Sequence, residues 1–335
     1  LRSQLLQNAA EDGSLLSLHR VLVRQINERL DADQPHRDAL LDCIITMANR
    51  RAKKTNAAIT DKSLRPELTP LSSLSATLAD AGRIEAATRV ANRLSTPLHK
   101  LARFSQIISN LKSLEQRSDF SRVGSTQEAT LSSNLAMSLQ DLGDLTGARE
   151  QMERAISIWE QHFDADNPTL ATGYSNQAMI LRDLGDLAGA RKQMERSITI
   201  EEQHFDADHP TLAISYSNLA LILRGLGNFV GAREQMERAI AIKLQHFDAD
   251  DPMLATGYSN LAMILKNLGD LAGAREQMER AIAIEQQHFD ANHPTLAEGY
   301  NNLAMILKGL GDLAGAREQM ERSIAIDENH FDASH

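Results

Sequence analysis

The sequence predicts an all-α solenoid built from antiparallel helix pairs. A 42-residue unit is written five times in tandem, and its register does not slip. Five glycines and four prolines mark the period: Gly143, Gly185, Gly227, Gly269, Gly311, Pro168, Pro210, Pro252 and Pro294. Self-similarity at this spacing is the signature of a repeat array, in which each unit packs mainly on its neighbours. An aromatic content of 4% also favours close-packed helices over sheets.

Each unit reads as two helices, and the unit that starts at Met253 shows why. Apolar residues recur there at i, i+3, i+4 and i+7, which is the buried stripe of an amphipathic helix. The stripe comprises Leu254, Tyr258, Leu261, Ala262, Ile264, Leu265 and Leu268. Gly269 should end this helix, because glycine adopts the left-handed conformation without strain. Asp270 should then cap the next helix by accepting a hydrogen bond from a free N–H group.

The second helix of this unit is predicted from Leu271 to about Phe289. Its buried face should consist of Met278, Ala281, Ile282 and Ile284. The small Gly273 and Ala274 are expected to let the two helices approach closely. The residue before each proline is pushed out of helical geometry, and proline suits the first helical position, so each unit should begin at its proline.

Three sequence features carry a family resemblance. They are the run Tyr258 to Ala262 (Tyr-Ser-Asn-Leu-Ala), the turn Leu268 to Leu271 (Leu-Gly-Asp-Leu) and the loop ending in Asp208-His209-Pro210. Together they resemble tetratricopeptide repeats of the 42-residue kinesin-light-chain type. The resemblance covers the region 121–335, with units 127–168, 169–210, 211–252, 253–294 and 295–335. It implies a right-handed superhelix with the first helix of each pair on the concave side.

The region 61–120 reads as a degenerate helical repeat with an extra helix. Leu74, Leu78, Gly82, Ile84 and Ala87 fall where the first regular unit has equivalent small and apolar residues. The surplus before that unit is interpreted as a helix over about 97–114. The segment 118–127 is the expected local break.

The region 1–60 is predicted to be a helical segment. Its run Leu18 to Arg24, followed by Arg29-Leu30, resembles the end of the winged-helix part of bacterial signalling ATPases of the STAND class. Those proteins join an NB-ARC or NACHT nucleotide-binding module to C-terminal repeats. The run departs from the family pattern because an extra apolar residue and Arg24 precede the glutamine. An ordinary amphipathic helix is the alternative.

No catalytic motif is found in the sequence. A Gly-x-x-x-x-Gly-Lys phosphate loop, a His-Glu-x-x-His pair and a Gly-x-Ser-x-Gly elbow are all missing. We therefore expect this region not to be an enzyme and to need no cofactor. The His-Phe-Asp-Ala-Asp loops contain metal-ligand residue types, but four convergent ligands are not evident at any junction, so no metal is predicted.

The net charge and the cysteine content limit the cellular compartment and the classes of partner that we expect. The net charge of −10 argues against general nucleic-acid binding, which requires neutralisation of phosphates. No apolar run reaches the length of a membrane span. The only cysteine, Cys43, excludes an internal disulfide and fits a reducing, cytoplasmic compartment. A packed thiol is the expected role of that residue.

The exposed side of the first helices is the candidate binding surface. Its predicted peptide-binding residues are Asn134, Asn176, Asn218, Asn260, Asn302, Arg182, Arg224, Lys266 and Lys308. Asparagine offers donors and acceptors to a peptide backbone, and the cations would attract acidic residues. Two structural alternatives stay open, namely bonds from the asparagines to neighbouring repeats and helix-end electrostatics for the cations. On the second helices, Glu234 with Arg238 and Glu276 with Arg280 should pair.

These features predict a scaffold that binds a protein or a peptide, possibly acidic, without nucleic-acid or membrane partners. The STAND resemblance implies the ligand-sensing arm of a multidomain signalling ATPase. Two alternatives remain: a kinesin-light-chain-like cargo adaptor, or repeats that present substrate to an effector enzyme whose catalytic domain lies elsewhere. Coiled-coil heptads upstream of this region would favour the cargo adaptor. A phosphate loop upstream would favour the signalling ATPase.

Overall fold

The computed structural model describes residues 75–76, 78–80, 82, 84–100 and 104–332, and its regular structure in these ranges is entirely helical. The predicted helical segment 1–60, with its winged-helix-like run and Cys43, lies outside the described residues. None of the helices in the described ranges is long and apolar enough to cross a membrane. The all-α prediction is confirmed.

The chain forms two compact units, Leu1–Phe163 and Asp164–His335. The helices described in the first unit are α1 Ile84–Lys100, α2 Phe104–Glu115, a 3-10 helix Phe120–Arg122, α3 Ser125–Asp141 and α4 Leu145–His162. Gly82, with φ 74°, precedes α1 as predicted for a degenerate repeat. The extra helix is present as α2, but its predicted start was wrong. Pro97 lies inside α1, which extends to Lys100, and α2 begins at Phe104.

Polar contacts from the later helices tie the first unit together. Arg154 on α4 forms ion pairs with Glu115 on α2 and with Glu128 on α3, the latter at 2.7 Å. Asn92 on α1 donates from its amide to the Gln127 carbonyl oxygen at 3.0 Å. The predicted break at 118–127 holds the 3-10 helix, whose Phe120 is buried. Helices α1 and α2 therefore pack against α3, the first helix of the first regular pair.

The second unit contains four regular helix pairs. They are α5 Pro168–Asp183 with α6 Leu187–His204, α7 Pro210–Gly225 with α8 Phe229–His246, α9 Pro252–Leu268 with α10 Leu271–His288, and α11 Pro294–Leu310 with α12 Leu313–Asp332. Within each pair the helices pack on each other, and α6, α8 and α10 also pack on the first helix of the following pair. The predicted boundaries of α9 and α10 are confirmed to within one residue.

The repeat boundaries follow from local chemistry. Each first helix starts at its proline, and the residue before that proline accepts a hydrogen bond from the second helical N–H. Asn167 accepts at 2.9 Å and Asp251 at 2.7 Å, whereas His209 and His293 accept through Nδ1 at 3.2 and 3.3 Å. These contacts satisfy one of the free donors that every helix start leaves.

The turn inside each repeat confirms one prediction and corrects another. Gly269 ends α9 with φ 87°, and Asp270 caps α10 by accepting from the Gly273 N–H at 2.9 Å. Gly273 was expected to allow close helix approach. A Cβ there would instead lie 2.5 Å from Asp270 Oδ2. Glycine at this position therefore leaves room for the cap of its own helix.

The core follows the predicted stripes. In the third pair, α9 buries Leu254 and Ile264 completely, and α10 buries Met278 completely. Close approach between consecutive repeats occurs at Gly257 and Gly299, where a Cβ would lie 3.1 and 3.0 Å from an isoleucine of the preceding second helix. Consecutive pairs are thus joined by apolar contacts in one continuous core.

Candidate peptide-binding face

The side of each first helix that faces away from the core forms a regular surface. On α5 it consists of Thr172, Ser175, Asn176, Met179 and Arg182, which are half-buried or exposed. Their spacing of three or four residues places them on one side of the helix. The core stripe of α5 occupies the other side. The same division recurs in α7, α9 and α11.

First helices of consecutive repeats touch each other, α5 with α7, α7 with α9 and α9 with α11. Side chains at equivalent positions therefore form rows, and together these rows are called the first-helix face. Its three central rows in the second unit are Asn176, Asn218, Asn260 and Asn302; Arg182, Arg224, Lys266 and Lys308; and Met179, Leu221, Met263 and Met305. The structure thus groups eight of the nine predicted site residues on one unit.

The asparagine row of the second unit carries free hydrogen-bonding capacity. All four side chains are half-buried: Asn176, Asn218, Asn260 and Asn302. In the described part of the chain, none of these amides has a side-chain hydrogen bond. A carboxamide offers two donors and an acceptor oxygen, so each could bond a backbone amide of a bound segment.

Asn134, the ninth predicted residue, lies in the first unit and has a different environment. Its Nδ2 lies 3.4 Å from the carbonyl oxygen of Asn92 and 3.3 Å from the Asn92 Oδ1 atom. The amide of Asn134 is therefore already bonded to α1. This is the structural role that the sequence left open for the asparagines.

The cationic row differs from repeat to repeat. Arg182 is paired with its neighbour Asp183 at 2.8 Å, and Lys266 Nζ lies 3.8 Å from the Met305 sulfur. Arg224 and Lys308 form no ion pair with any residue that the structure describes. Helices α7 and α9 contain no acidic residue. Positive charge on the first-helix face is therefore least compensated on α7 and α9.

The second helices carry the compensated charge. Arg280 bonds Glu276 at 2.7 Å, as predicted. The predicted partner of Arg238 was wrong, because its guanidinium lies 4.2 Å from the Tyr216 ring centroid and donates to the Tyr216 hydroxyl at 2.9 Å. The ring of Tyr216 belongs to another helix, so the i, i+4 spacing along α8 does not reveal this cation–π contact.

The inter-repeat loops use their histidines internally. The Nε2 atoms of His204, His246 and His288 face backbone carbonyl oxygens of the preceding loop at 2.5, 2.6 and 2.6 Å. Each imidazole can donate to that carbonyl and so join the end of its helix to the preceding loop. Among the described residues, no group of three or more His, Cys, Asp or Glu side chains is arranged to hold a metal ion.

Two buried carboxyl groups were missed from the sequence. Glu201 on α6 and Glu285 on α10 are 5% and 6% exposed at equivalent positions between repeats. Burial, together with the charge of Glu298, raises the pKa of Glu285 to about 7. Burial also raises the pKa of Glu201, although Ser215, Ser197 and His209 act against the increase. The sequence could have indicated these buried glutamates, because each is a charged residue at a position that the helical periodicity places on the buried side.

These features define a class of protein, an α-helical repeat scaffold with one polar, partly cationic face on its first helices. The chain belongs to the tetratricopeptide repeat family, whose pattern matches residues 127–203, 169–245 and 253–329. It is therefore a tetratricopeptide repeat scaffold. No catalytic family is indicated by these matches. Among curated protein sequences, none matches the chain significantly.

Solved structures show the same fold. A putative kinesin light chain of nearly identical TPR-like repeats from Podosopora anserina is 22% identical, with a TM-score of 0.54 over 59% of this chain and 94% of that one. BtubC (BKLC) from P. vanneervenii is also 22% identical, with a TM-score of 0.54 over 74% and 92%. The apo form of RapI is 13% identical, with a TM-score of 0.57 over 85% and 97%. The kinesin-light-chain-like resemblance is confirmed at the level of the fold.

Proposed function

We propose that this chain binds an extended, acidic segment of a partner protein along the first-helix face of its second unit. The observation that carries the proposal is the row of four half-buried asparagines whose amides have no bond to the described residues. These amides are accessible to solvent, so a bound segment can replace water at their donors and acceptors. A bound peptide backbone would supply matching acceptors and donors.

The repeat spacing suits an extended ligand. Helices packed side by side lie roughly 8–10 Å apart. An extended peptide covers that distance in about three residues. Each repeat would therefore hold one short stretch of backbone through its asparagine, and affinity would come from several such contacts. The neighbouring methionine row adds apolar contacts that adapt to different side chains.

The cationic row supplies the preference for acidic segments. Arg224, Lys266 and Lys308 lie on helices with a single acid among them, Glu298 on α11. Positive side chains along a groove increase the association rate of an acidic ligand, and salt screens this effect. Binding should accordingly weaken as ionic strength rises.

The test is binding of a proteome-derived peptide library to the wild type and to the variant Asn218→Ala, Arg224→Glu, Asn260→Ala and Lys266→Glu. Each lost hydrogen bond costs about 0.5–1.5 kcal/mol, and reversed charges add repulsion, so acidic peptides should bind at least about tenfold more weakly. Fluorescence polarisation measures the dissociation constants, after circular dichroism confirms equal helicity.

A matched control makes the same change of net charge on the second helices. It combines Gln245→Ala, Gln287→Ala, Arg233→Glu and Arg275→Glu, all at exposed positions. The control should bind acidic peptides almost as the wild type does, apart from a small long-range charge effect. Equal losses in both variants, or no loss in the first, would contradict binding at the first-helix face.

We further infer that the array is the ligand-sensing arm of a signalling ATPase of the cytoplasm. The support is the run Leu18 to Arg24 and its resemblance to the end of a STAND winged-helix part. The test is ATP hydrolysis by the natural gene product with and without saturating peptide. Stimulated hydrolysis is expected. An upstream coiled coil would favour the cargo adaptor. Hydrolysis at the same rate with and without peptide would contradict the signalling arm and favour the cargo adaptor or the substrate-presenting repeats.

A further inference from the structure

The contact between α10 and α11 encloses a carboxyl group that has no hydrogen-bond donor. Glu285 on α10 is 6% exposed, and its Oε2 has no hydrogen-bond partner in the described part of the chain. A Cβ at Gly299 on α11 would lie 3.3 Å from that oxygen. Oε2 of Glu285 is therefore pressed against the backbone of the next repeat, where water does not reach this oxygen.

The contact between α6 and α7 offers an internal comparison. Glu201 occupies the same position two repeats earlier and is equally buried. Ser197 Oγ lies 3.2 Å from Glu201 Oε1 and 2.8 Å from the Ala171 carbonyl oxygen, so its one proton serves two acceptors. The hydroxyl of Ser215 also favours the charged form of Glu201. In the later contact, these two serines are replaced by Ala281 and Gly299.

The charged groups near the two glutamates have opposite effects on their ionisation. Glu298 on α11 acts on Glu285 and disfavours a second negative charge. The equivalent residue on α7 is Ile214, and the charged group acting on Glu201 is His209, which favours its ionisation. His293 occupies the position of His209 in the later contact, so the two contacts differ in Glu298 and in the two serines. Each carboxyl group is otherwise affected mainly by burial. Ionisation is therefore more costly for Glu285 than for Glu201.

We propose that the α10–α11 contact is a proton-dependent joint, closed while Glu285 is protonated and loosened when Glu285 ionises. The buried Oε2 of the carboxylate has no donor to replace its hydration, so ionisation favours drawing water into the contact. Opening α11 away from α10 is the direct way to admit that water. Glu201 Oε2 also lacks a partner among the described residues, but the hydroxyl groups of Ser197 and Ser215 face its carboxylate, so the α6–α7 contact should lose less packing on ionisation.

The sign of the pH dependence follows from the direction of the shift. The pKa of Glu285 is raised from the ordinary 4.5 to about 7 in the packed state. The packing free energy is therefore largest below about pH 4.5, falls as pH rises towards about 7, and levels off above that value. The joint changes state across near-neutral pH. The pH sensitivity arises at this one contact between two repeats and not along the whole array.

The joint also bears on ligand binding, a consequence that rests on the proposed function. Helix α11 carries Asn302 and Lys308, so a loosened joint would displace the last members of both rows. Acidic segments that reach the fifth repeat would then bind more weakly at high pH. The direct test of the joint requires no peptide, so its failure is distinguishable from failure of the proposed function.

The first experiment measures carboxyl titration by ¹³C NMR and amide hydrogen exchange by mass spectrometry at pH 5.5 and 8, corrected for intrinsic exchange. Protection of α11 and α12 should fall at least about fivefold more than protection of α7 and α8. Glu285 should titrate above Glu201. In Glu285→Gln, which cannot ionise, the extra pH dependence of α11 and α12 should vanish.

The second experiment gives Glu285 the surroundings of Glu201 through Ala281→Ser, Glu298→Ile and Gly299→Ser. The new hydroxyls and the lost charge should lower the pKa of Glu285 and reduce the pH dependence of α11 exchange. Glu298→Gln alone should act in the same direction and is the milder change. Exchange with the same pH dependence in wild type and Glu285→Gln, or Glu285 titrating no higher than Glu201, would overturn the proposal.

Discussion

At the scale of single residues, the turn between paired helices depends on one glycine and one capping side chain. Gly269 has φ 87°, and a Cβ there would meet no atom within 4 Å. The constraint is therefore conformational and not steric. L-residues adopt this left-handed region at a cost, whereas glycine and, to a smaller extent, asparagine accept it.

Gly269→Ala should therefore lower the free energy of unfolding by about 1–2 kcal/mol, the cost of placing an alanine in left-handed geometry. Gly269→Asn should lose less, because its side chain tolerates this conformation. Urea unfolding followed by circular dichroism measures both. Equal stability of the alanine variant and the wild type would show that the turn adjusts its backbone freely.

At the scale of helices, burial of the second helix depends on the repeat that follows it. Met278 on α10 is completely buried, whereas Met320 at the same position of α12 is only partly buried. Ile324 on α12 is 48% exposed, although Ile282 on α10 is 6% exposed. The same sequence pattern therefore produces a full core contact only where another helix pair covers it.

Met278→Ala should lower the free energy of unfolding by about 2–4 kcal/mol, because it removes apolar contacts and leaves a cavity. Met320→Ala, the matched change on α12, should cost about 1 kcal/mol or less, since its side chain is already partly hydrated. Urea unfolding of both variants gives the comparison. Similar losses would mean that α12 is as well covered in solution as α10.

At the scale of the whole molecule, near-identical repeats differ at some of the positions where they meet. Glu201, Lys243 and Glu285 occupy one position between consecutive pairs, and burial lowers the pKa of Lys243 as it raises those of the two glutamates. In a repeat array, each contact between neighbours contributes its own term to stability. These substitutions can therefore make one contact sensitive to conditions while the others stay unchanged.

The sequence by itself determined the helix pairs, their boundaries and their buried stripes. The 42-residue period and the 3.6-residue spacing can be read from the order of residues, so α9 and α10 could be delimited from the sequence pattern alone. The asparagine and cationic rows of the second unit were also predicted, because equivalent positions of stacked repeats must align. The face they form follows from the same periodicity that defines the core.

Only the tertiary structure decided which partners each side chain meets. The bond from Asn134 to Asn92 and the position of Arg238 over Tyr216 each depend on atoms outside the local pattern. The burial of Glu285 against Gly299 depends on how two repeats stack. Periodicity fixes which side of a helix a residue occupies, but the neighbouring helix determines whether its charge, amide or hydroxyl is satisfied.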